Sequence, residues 1–581
     1  MPARRVPEYQ PGKDLGLRGS IMSRIAFAVF CALIIVAPFE ATRPLLQLPG
    51  QALSTVEVAA ILAVAIGGLL WMSAPAVGGI GGGLTAPWLA LVGAGLVASA
   101  AAPEGRSNAL HMTGRFTLAL CVYVLTRTVV TDSTRLRRTL WALCTSGVLV
   151  AIVAVLEYAE VPKVLSALQA FRPSVALLGA QVRASGPLQY PTIASMYLEI
   201  CVACGLGLLA FSVTRGQRWR ICVLVVLLAV TIEGIVVTFT RSGLINVAAS
   251  LLVVAVICYT RLERTRLLWA LAAVAVIAAC EVALSRSSEV ILARLSTEGQ
   301  EGWYRARIDA PAALALRTGG TTTVPLRLTN TGRVTWTPES PQPFRVAYHW
   351  LEDGSPRVVE WEGERTVLPK PVAPGESVEL AATVKSPSAP GQYQLVWDIE
   401  QESRLWFSTE TDAILAATPA RVEGPTMAPL PRARWLVSPT QAVRPGRLVL
   451  WAAAARMYLE HPITGVGPDN YRLLYGRYAG IPQADPRTHS NNSYLELLVG
   501  MGAVGALAMG WCAWRVIQRG RLAVAGADPL VGGLLAAVAA IAIHGLVDSF
   551  AGFTPTYVLM AITLGLFTFV TDTGGGYAHR V

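Results

Sequence analysis

The sequence predicts an α-helical polytopic membrane protein of about twelve transmembrane helices, whose longest outer loop is helical and carries an inserted all-β sandwich. Three observations lead there. Apolar runs of membrane-crossing length recur along the chain. Short arginine-rich loops alternate with arginine-poor ones. In the one long polar stretch, the apolar residues switch from continuous runs to short alternating ones.

Composition sets the class before any motif is read. Of 581 residues, 53% are hydrophobic and 15% charged, with a mean hydropathy of +0.49. A soluble chain of this length needs more polar surface than that. The net charge of +11 does not indicate nucleic acid, because the basic residues sit in short loops between apolar runs, as membrane orientation produces. The nine cysteines all fall inside or beside apolar runs, and none lies between Glu281 and Trp511. A disulfide framework or cysteine metal site is thereby excluded from that stretch. Cys201 and Cys204 have CxxC spacing but read as small hydrophobes in a lipid-embedded helix.

The predicted spans, in order, are Ile21–Phe39, Ala52–Met72, Ala86–Ala101, Met112–Val130, Leu140–Glu157, Thr192–Val213, Trp219–Thr238, Ser242–Thr260, Leu267–Leu284, Leu495–Ile517, Pro529–Val547 and Phe553–Val570. The first lacks a clear cleavage site and is read as a span, not a signal peptide. Basic residues fall in the N-terminal segment (Arg4, Arg5, Lys13, Arg18) and then in alternate loops: Arg127–Arg138, Arg215–Arg220, Arg261–Arg266 and Arg515–Arg521. With twelve spans this places both termini in the cytoplasm. Glu157–Pro191, the Thr240–Arg241 turn and Ser285–Tyr494 are then outside, which in a cell inner membrane means periplasmic.

Within the long loop, Thr321–Asn330, Phe344–Trp350, Ser377–Val384 and Tyr393–Glu400 alternate between turn clusters such as Ala373-Pro374-Gly375-Glu376. This is the pattern of a small β-sandwich. Its LTNTGRVTW run and PGxY turn resemble those of Ig-like accessory domains, a likeness of fold alone. Removing it brings Arg286–Ser296 next to Val437–Glu460, where Leu450, Ala454 and Met457 share a helix face. The sandwich therefore reads as an insertion. The expected domains are 1–301 (membrane bundle, spans one to nine), 302–424 (periplasmic β-sandwich), 425–494 (periplasmic helical loop with the catalytic motif) and 495–581 (spans ten to twelve).

Four residues on the outer side are candidates for chemistry. Arg183 precedes a span in Arg-Ala-Ser-Gly-Pro, Arg241 opens one in Thr-Arg-Ser-Gly, and Arg447 lies near Trp451 on the amphipathic helix. His489 stands in Thr-His-Ser-Asn-Asn-Ser-Tyr-Leu-Glu before the tenth span. Each has an ordinary reading as a loop cation, a snorkelling arginine or a surface histidine. Of the six histidines (His111, His349, His461, His489, His544, His579), only His489 is both outside and at a loop–membrane junction beside hydrogen-bonding side chains. A histidine there can take a proton from a hydroxyl nucleophile, and arginine forks suit a lipid-linked diphosphate. No carboxylate–histidine cluster has metal-ligand spacing, so the implied chemistry uses neither metal nor cofactor.

Six runs carry a family resemblance: Arg183–Tyr197, Thr240–Leu244, Arg447–Trp451, His461–Tyr471, His489–Gly505 and His544–Asp548. In order, spacing and topology the chain resembles the O-antigen ligase and O-antigen polymerase superfamily. The resemblance implies transfer of a glycan from undecaprenyl diphosphate to an acceptor hydroxyl of a glycan or glycolipid, at the outer face of the bilayer. It assigns diphosphate binding to Arg183 and Arg447 and catalysis to His489. It gives Arg241 a substrate-side position and the His461–Tyr471 turn a part in shaping the pocket. The chain departs from the family where relatives have a histidine three residues ahead of the motif tyrosine. Here that position is Asn491, which leaves His489 as the imidazole available.

Glu233 and Glu199 are costly within spans unless paired. His544 and Asp548, four apart, read as a structural hydrogen-bonded pair on one helix face. The leading functional reading is a ligase-type membrane glycosyltransferase. Its alternatives are a repeat-unit polymerase, a polyprenyl-linked saccharide transporter and a non-catalytic scaffold. The transporter is disfavoured because the sequence shows no inverted repeats and no matched broken helices.

Overall fold

A computed structural model describes residues 17–48, 51–73, 82–172, 176–178, 181–259, 264–284, 302–339, 343–354, 358–360, 363–402, 405–408, 415–425, 447–480, 486–524 and 528–572. The predicted basic segment Arg4–Lys13, the segment Arg286–Ser296 and residues 437–446 lie outside them. The described helices are α1 (Leu17–Val36), α2 (Thr55–Ser73), α3 (Thr85–Ala101), α4 (Arg106–Val129), α5 (Ser133–Tyr158), α6 (Pro162–Leu168), α7 (Pro191–Thr214), α8 (Arg218–Val236), α9 (Arg241–Tyr259), α10 (Arg264–Leu284), α11 (Arg447–Glu460), α12 (Tyr471–Ala479), α13 (Ser493–Val524), α14 (Pro529–His544) and α15 (Thr554–Asp572). Seven of these are long and apolar enough to cross a bilayer, and five shorter apolar helices accompany them. Each matches one predicted span. A helix closes its backbone hydrogen bonds internally, which is what a segment immersed in hydrocarbon requires.

α7 is the axis of the bundle and is buried along almost its whole length. It packs most closely on α14, where Gly207 and Gly533 meet backbone to backbone. A Cβ on Gly533 would stand 2.6 Å from the Gly207 Cα. Small residues permit this approach, and dispersion between the two helices holds it.

The β domain forms as its alternation predicts, with two sheets around one core. Strands β1 (Ala306–Asp309), β3 (Thr321–Asn330) and β6 (Ser377–Lys385) make a three-stranded sheet. In β3, Val324, Leu326 and Leu328 point inward while Arg327 points out. The second sheet runs β5 (Thr366–Val367), β4 (Phe344–Glu352), β7 (Gly391–Gln401), β8 (Ala416–Glu423) and β2 (Leu314–Arg317). Trp336, Trp350 and Trp397 fill the space between the sheets. A buried His349–Asp398 pair at 3.2 Å ties β4 to β7. Asp398 also accepts from Ser408, so the acid stands between that hydroxyl and the imidazole.

One span is not a single helix. Gly502, inside α13, has φ +59° and ψ −157°, which divides it into two helices that meet at a kink. The preceding turn of residues 462–467 fills the break. Ala503 and Val504 donate to the Pro462 and Ile463 carbonyls at 2.9 and 3.2 Å, and Val466 and Gly467 donate to the Val499 and Gly500 carbonyls at 2.9 Å each. A Cβ at Gly502 would stand 2.3 Å from the Ile463 oxygen, so only glycine fits there. The apolar run gave no sign of this break. The His461–Tyr471 run owes its glycines to this junction.

Candidate functional site

The loops that the sequence places outside converge at one end of the bundle, and each is fixed from below. The turn after Arg183 is held by Glu157, buried at the end of α5, whose carboxylate accepts from the Ser185 and Gly186 amides at 3.0 and 2.8 Å and also pairs with Arg172. Ala184 donates to the Val237 carbonyl at 3.0 Å. Arg183 closes a short strand (Gln181–Arg183) and reaches across to the turn after α8. It donates from Nε to the Thr238 carbonyl at 2.8 Å and from Nη2 to Thr240 Oγ1 at 3.2 Å. Arg241 follows at the start of α9, half-buried. Arg183 and Arg241 therefore share one turn.

Arg447 and His489 meet on a different element, the loop between α14 and α15. Arg447, first residue of α11, donates from Nη2 to the Val547 carbonyl at 3.1 Å. The His489 ring lies 6.2 Å from that of Phe553. The same loop receives the motif that follows His489. Ser493 donates from its amide to the Gly545 and Asp548 carbonyls, and Asn492 donates from Nδ2 to the Leu546 carbonyl at 3.1 Å. Asn492 Oδ1 in turn caps α13 by accepting from the Tyr494 and Leu495 amides at 3.0 Å. Asn491 sits between these anchors with φ +54°, a left-handed conformation that asparagine tolerates better than most residues. Asn491 thus shapes the loop, and His489 stands two residues before it.

His489 is mostly enclosed. Its Nδ1 lies 3.1 Å from both oxygens of Glu496, one turn into α13, and the same carboxylate accepts from the Ser490 amide at 2.7 Å. Burial alone favours the neutral ring. The Glu496 carboxylate and the more distant Asp469 outweigh burial and the opposing Arg472, so the His489 pKa is pushed up to about 9. With Nδ1 engaged by Glu496, Nε2 is the remaining ring nitrogen.

The two groups of loops are linked by a buried polar cluster. His544, the last residue of α14, places Nδ1 at 3.0–3.1 Å from the oxygens of Glu199 on α7. Glu199 also accepts from Ser195 Oγ and Asn246 Nδ2 at 2.6 Å each, and Ser242, beside Arg241, lies 3.4 Å from the same imidazole nitrogen. The predicted hydrogen bond between His544 and Asp548 is corrected here. Their closest approach, 3.8 Å from Nε2 to Oδ2, is too long for one, because the ring is drawn toward Glu199. Glu199 is paired, as its depth demands. Glu233 lies near Glu281 of α10 and makes no ion pair among the described residues.

Sequence reasoning missed two further groups at this end. Arg115, within α4, donates to Glu57 at 3.0 Å and to the Gly552 carbonyl at 2.8 Å. Arg472 bridges Asp469 and Asn108 at 2.7–2.8 Å and 2.7 Å. Arg115 carried a readable signal, since a charge inside an apolar run must find a partner. Glu496 did too, as the acid in the first turn of a span. Among the described residues no group of three or more histidine, cysteine or acidic side chains could hold a metal ion.

Residues 438–510 match the family model described as O-antigen ligase. The matched segment covers α11, the turn at the helix break, α12, the His489 loop and the first half of α13. No curated protein matches the chain.

Proposed function

From the match of residues 438–510 to the O-antigen ligase family model, we propose that this multi-pass membrane protein transfers a preassembled glycan from undecaprenyl diphosphate to an acceptor hydroxyl. The reaction takes place at the periplasmic face of the inner membrane. The observation that carries this reading is the His489–Glu496 pair, packed against the same α14–α15 loop as Arg447 and one polar cluster away from Arg183 and Arg241.

In this reading Arg183 and Arg447 hold the donor diphosphate. A guanidinium keeps its charge and offers parallel donors to phosphate oxygens, so it stabilises the charge that grows on the departing diphosphate. Arg241 extends the same basic rim. His489 in its neutral form accepts the proton of the acceptor hydroxyl as that oxygen attacks the anomeric carbon. Glu496 steadies the imidazolium so formed. The bond from the anomeric carbon to the diphosphate breaks, and the polyprenyl diphosphate leaves with the electron pair.

The β domain, spanning about 302–424, acts as an Ig-like accessory module outside the reaction. Both termini lie in the cytoplasm, so a reporter active only outside it works when fused near Ser355 and fails near Arg218. The reverse pattern sinks the site assignment. The decisive experiment is the glycan left on lipid in a strain lacking the protein. Accumulated long chains support a ligase, whereas single unjoined repeats make the protein a polymerase.

A further inference from the structure

At the end of α5 remote from Glu157, about 30 Å away along the helix, lies a cavity of about 440 Å³ between the first turns of α5 and α8. It is lined by Arg137, Arg138 and Arg220, with Thr134, Trp141, Trp219 and Val223. Arg137 and Arg215 both lean on the Phe211 ring, at 5.5 and 5.6 Å, and Arg220 lies over Trp219 at 5.4 Å. Among the described residues no carboxylate is within ion-pair distance of Arg137, Arg138 or Arg220. Asp132, which flanks the cluster, accepts from the Thr134 and Arg135 amides at 2.8 and 2.9 Å through Oδ1 and pairs with the Arg135 guanidinium at 3.8 Å through Oδ2.

Helix dipoles sharpen the imbalance. α8 begins with Arg218 and Arg220, has no acid in its first turn, and receives no side-chain cap from Gln217. Cations at a helix N-terminus are unfavourable, and open amides there favour an anion. Orientation of the bundle asks only for positive charge on this side. It does not ask for three guanidinium groups around a cavity walled by two tryptophans.

Below the cavity the walls turn apolar and exposed: Leu149 and Ile152 on α5, and Val223 and Val226 on α8, the last 60% exposed. We propose that this cavity binds the phosphate of an anionic phospholipid headgroup between Arg137, Arg138 and Arg220, with the acyl chain lying along the α5–α8 groove. Trp141 and Trp219 line the cavity near the starts of two apolar helices, and indole rings favour the boundary of the hydrocarbon. This site is independent of the glycan-transfer reading, since it lies at the opposite end of the bundle.

The test uses the full chain, purified in detergent, stripped of lipid and examined by native mass spectrometry. The probes are phosphatidylglycerol, phosphatidylcholine and inorganic phosphate. The wild type should retain one phosphatidylglycerol preferentially, and Arg137→Gln/Arg220→Gln should weaken that retention about tenfold or more. Arg137→Lys/Arg220→Lys should stay within a few-fold, because the positive charge is kept. Arg138→Gln alone serves if the double variant does not fold. Equal retention of phosphatidylcholine, or unchanged retention in the glutamine variants, overturns the proposal. Displacement of the lipid by millimolar inorganic phosphate overturns it as well, by assigning the cavity to a soluble anion.

Discussion

Two histidines in this chain face glutamates at nearly the same distance and in opposite surroundings. His489 meets Glu496 at 3.1 Å with both side chains nearly one-fifth exposed, 19% and 17%. His544 meets Glu199 at 3.0 Å with both sealed, at 0% and 1%. The second ring nitrogen of His544 is buried without a hydrogen bond. Distance therefore does not distinguish a reactive imidazole from a structural one. What distinguishes them is whether the remaining nitrogen can meet a substrate. The His489 pair can exchange a proton with something outside the protein. The His544 pair can only hold α7, α9 and α14 together.

The sharpest way to break this contrast is to remove each ring. His489→Ala should lower turnover by roughly two to four orders of magnitude while leaving donor binding and thermal stability nearly unchanged. His544→Ala strands a buried carboxylate and should cost about 3–5 kcal/mol of stability, read as a large drop in melting temperature in detergent. If His489→Ala keeps near-normal transfer while Asn491→Ala abolishes it, the catalytic assignment is wrong.

Replacing the arginines that flank each pair comes next. Arg183→Lys and Arg447→Lys should each lower kcat/KM by roughly tenfold, because a point charge loses the forked contact to phosphate. Equal activity of the lysine variants would mean that charge alone is being read.

A gentler probe is pH. His489 with its pKa near 9 must lose a proton before it can act as a base. The rate should therefore climb as pH rises toward 9. The pair's contribution to stability runs the other way. It is complete below the unperturbed value of 6.5 and lost as pH rises through about 9. Glu496→Gln should move the rate inflection down toward 6.5. A flat profile in both forms would remove His489 from the proton transfer.

The smallest effect is expected from deleting about 302–424 with a flexible linker, since no residue of that segment was assigned to the chemistry. Transfer should persist, measured on a well-inserted variant. Complete loss would bring the β domain into the reaction.

Much of this architecture was legible because bilayers and sheets impose strict periods. Twelve apolar runs became helices, and the strands Thr321–Asn330 and Ser377–Lys385 start where their alternation starts. The site was less legible. The Glu199–His544 contact joins residues 345 positions apart on two helices, and neither local run announces the other. Gly502 lies in an apolar run that any hydropathy window reads as continuous, and only its backbone angles betray the break. Asp548 was matched to His544 by spacing, whereas the carboxylate on a neighbouring helix lay closer.

The broken helix also constrains how the molecule is assembled. Four backbone groups at the break find partners only in residues 462–467. Left open in hydrocarbon, each would cost several kcal/mol. The tenth span therefore cannot settle into the bilayer as a finished unit when it leaves the insertion machinery. It is complete only once residues 462–467, synthesised before it, have folded back onto it. The order of biogenesis is thus written into one glycine, and a span that looks like a simple anchor is completed only after the loop it follows.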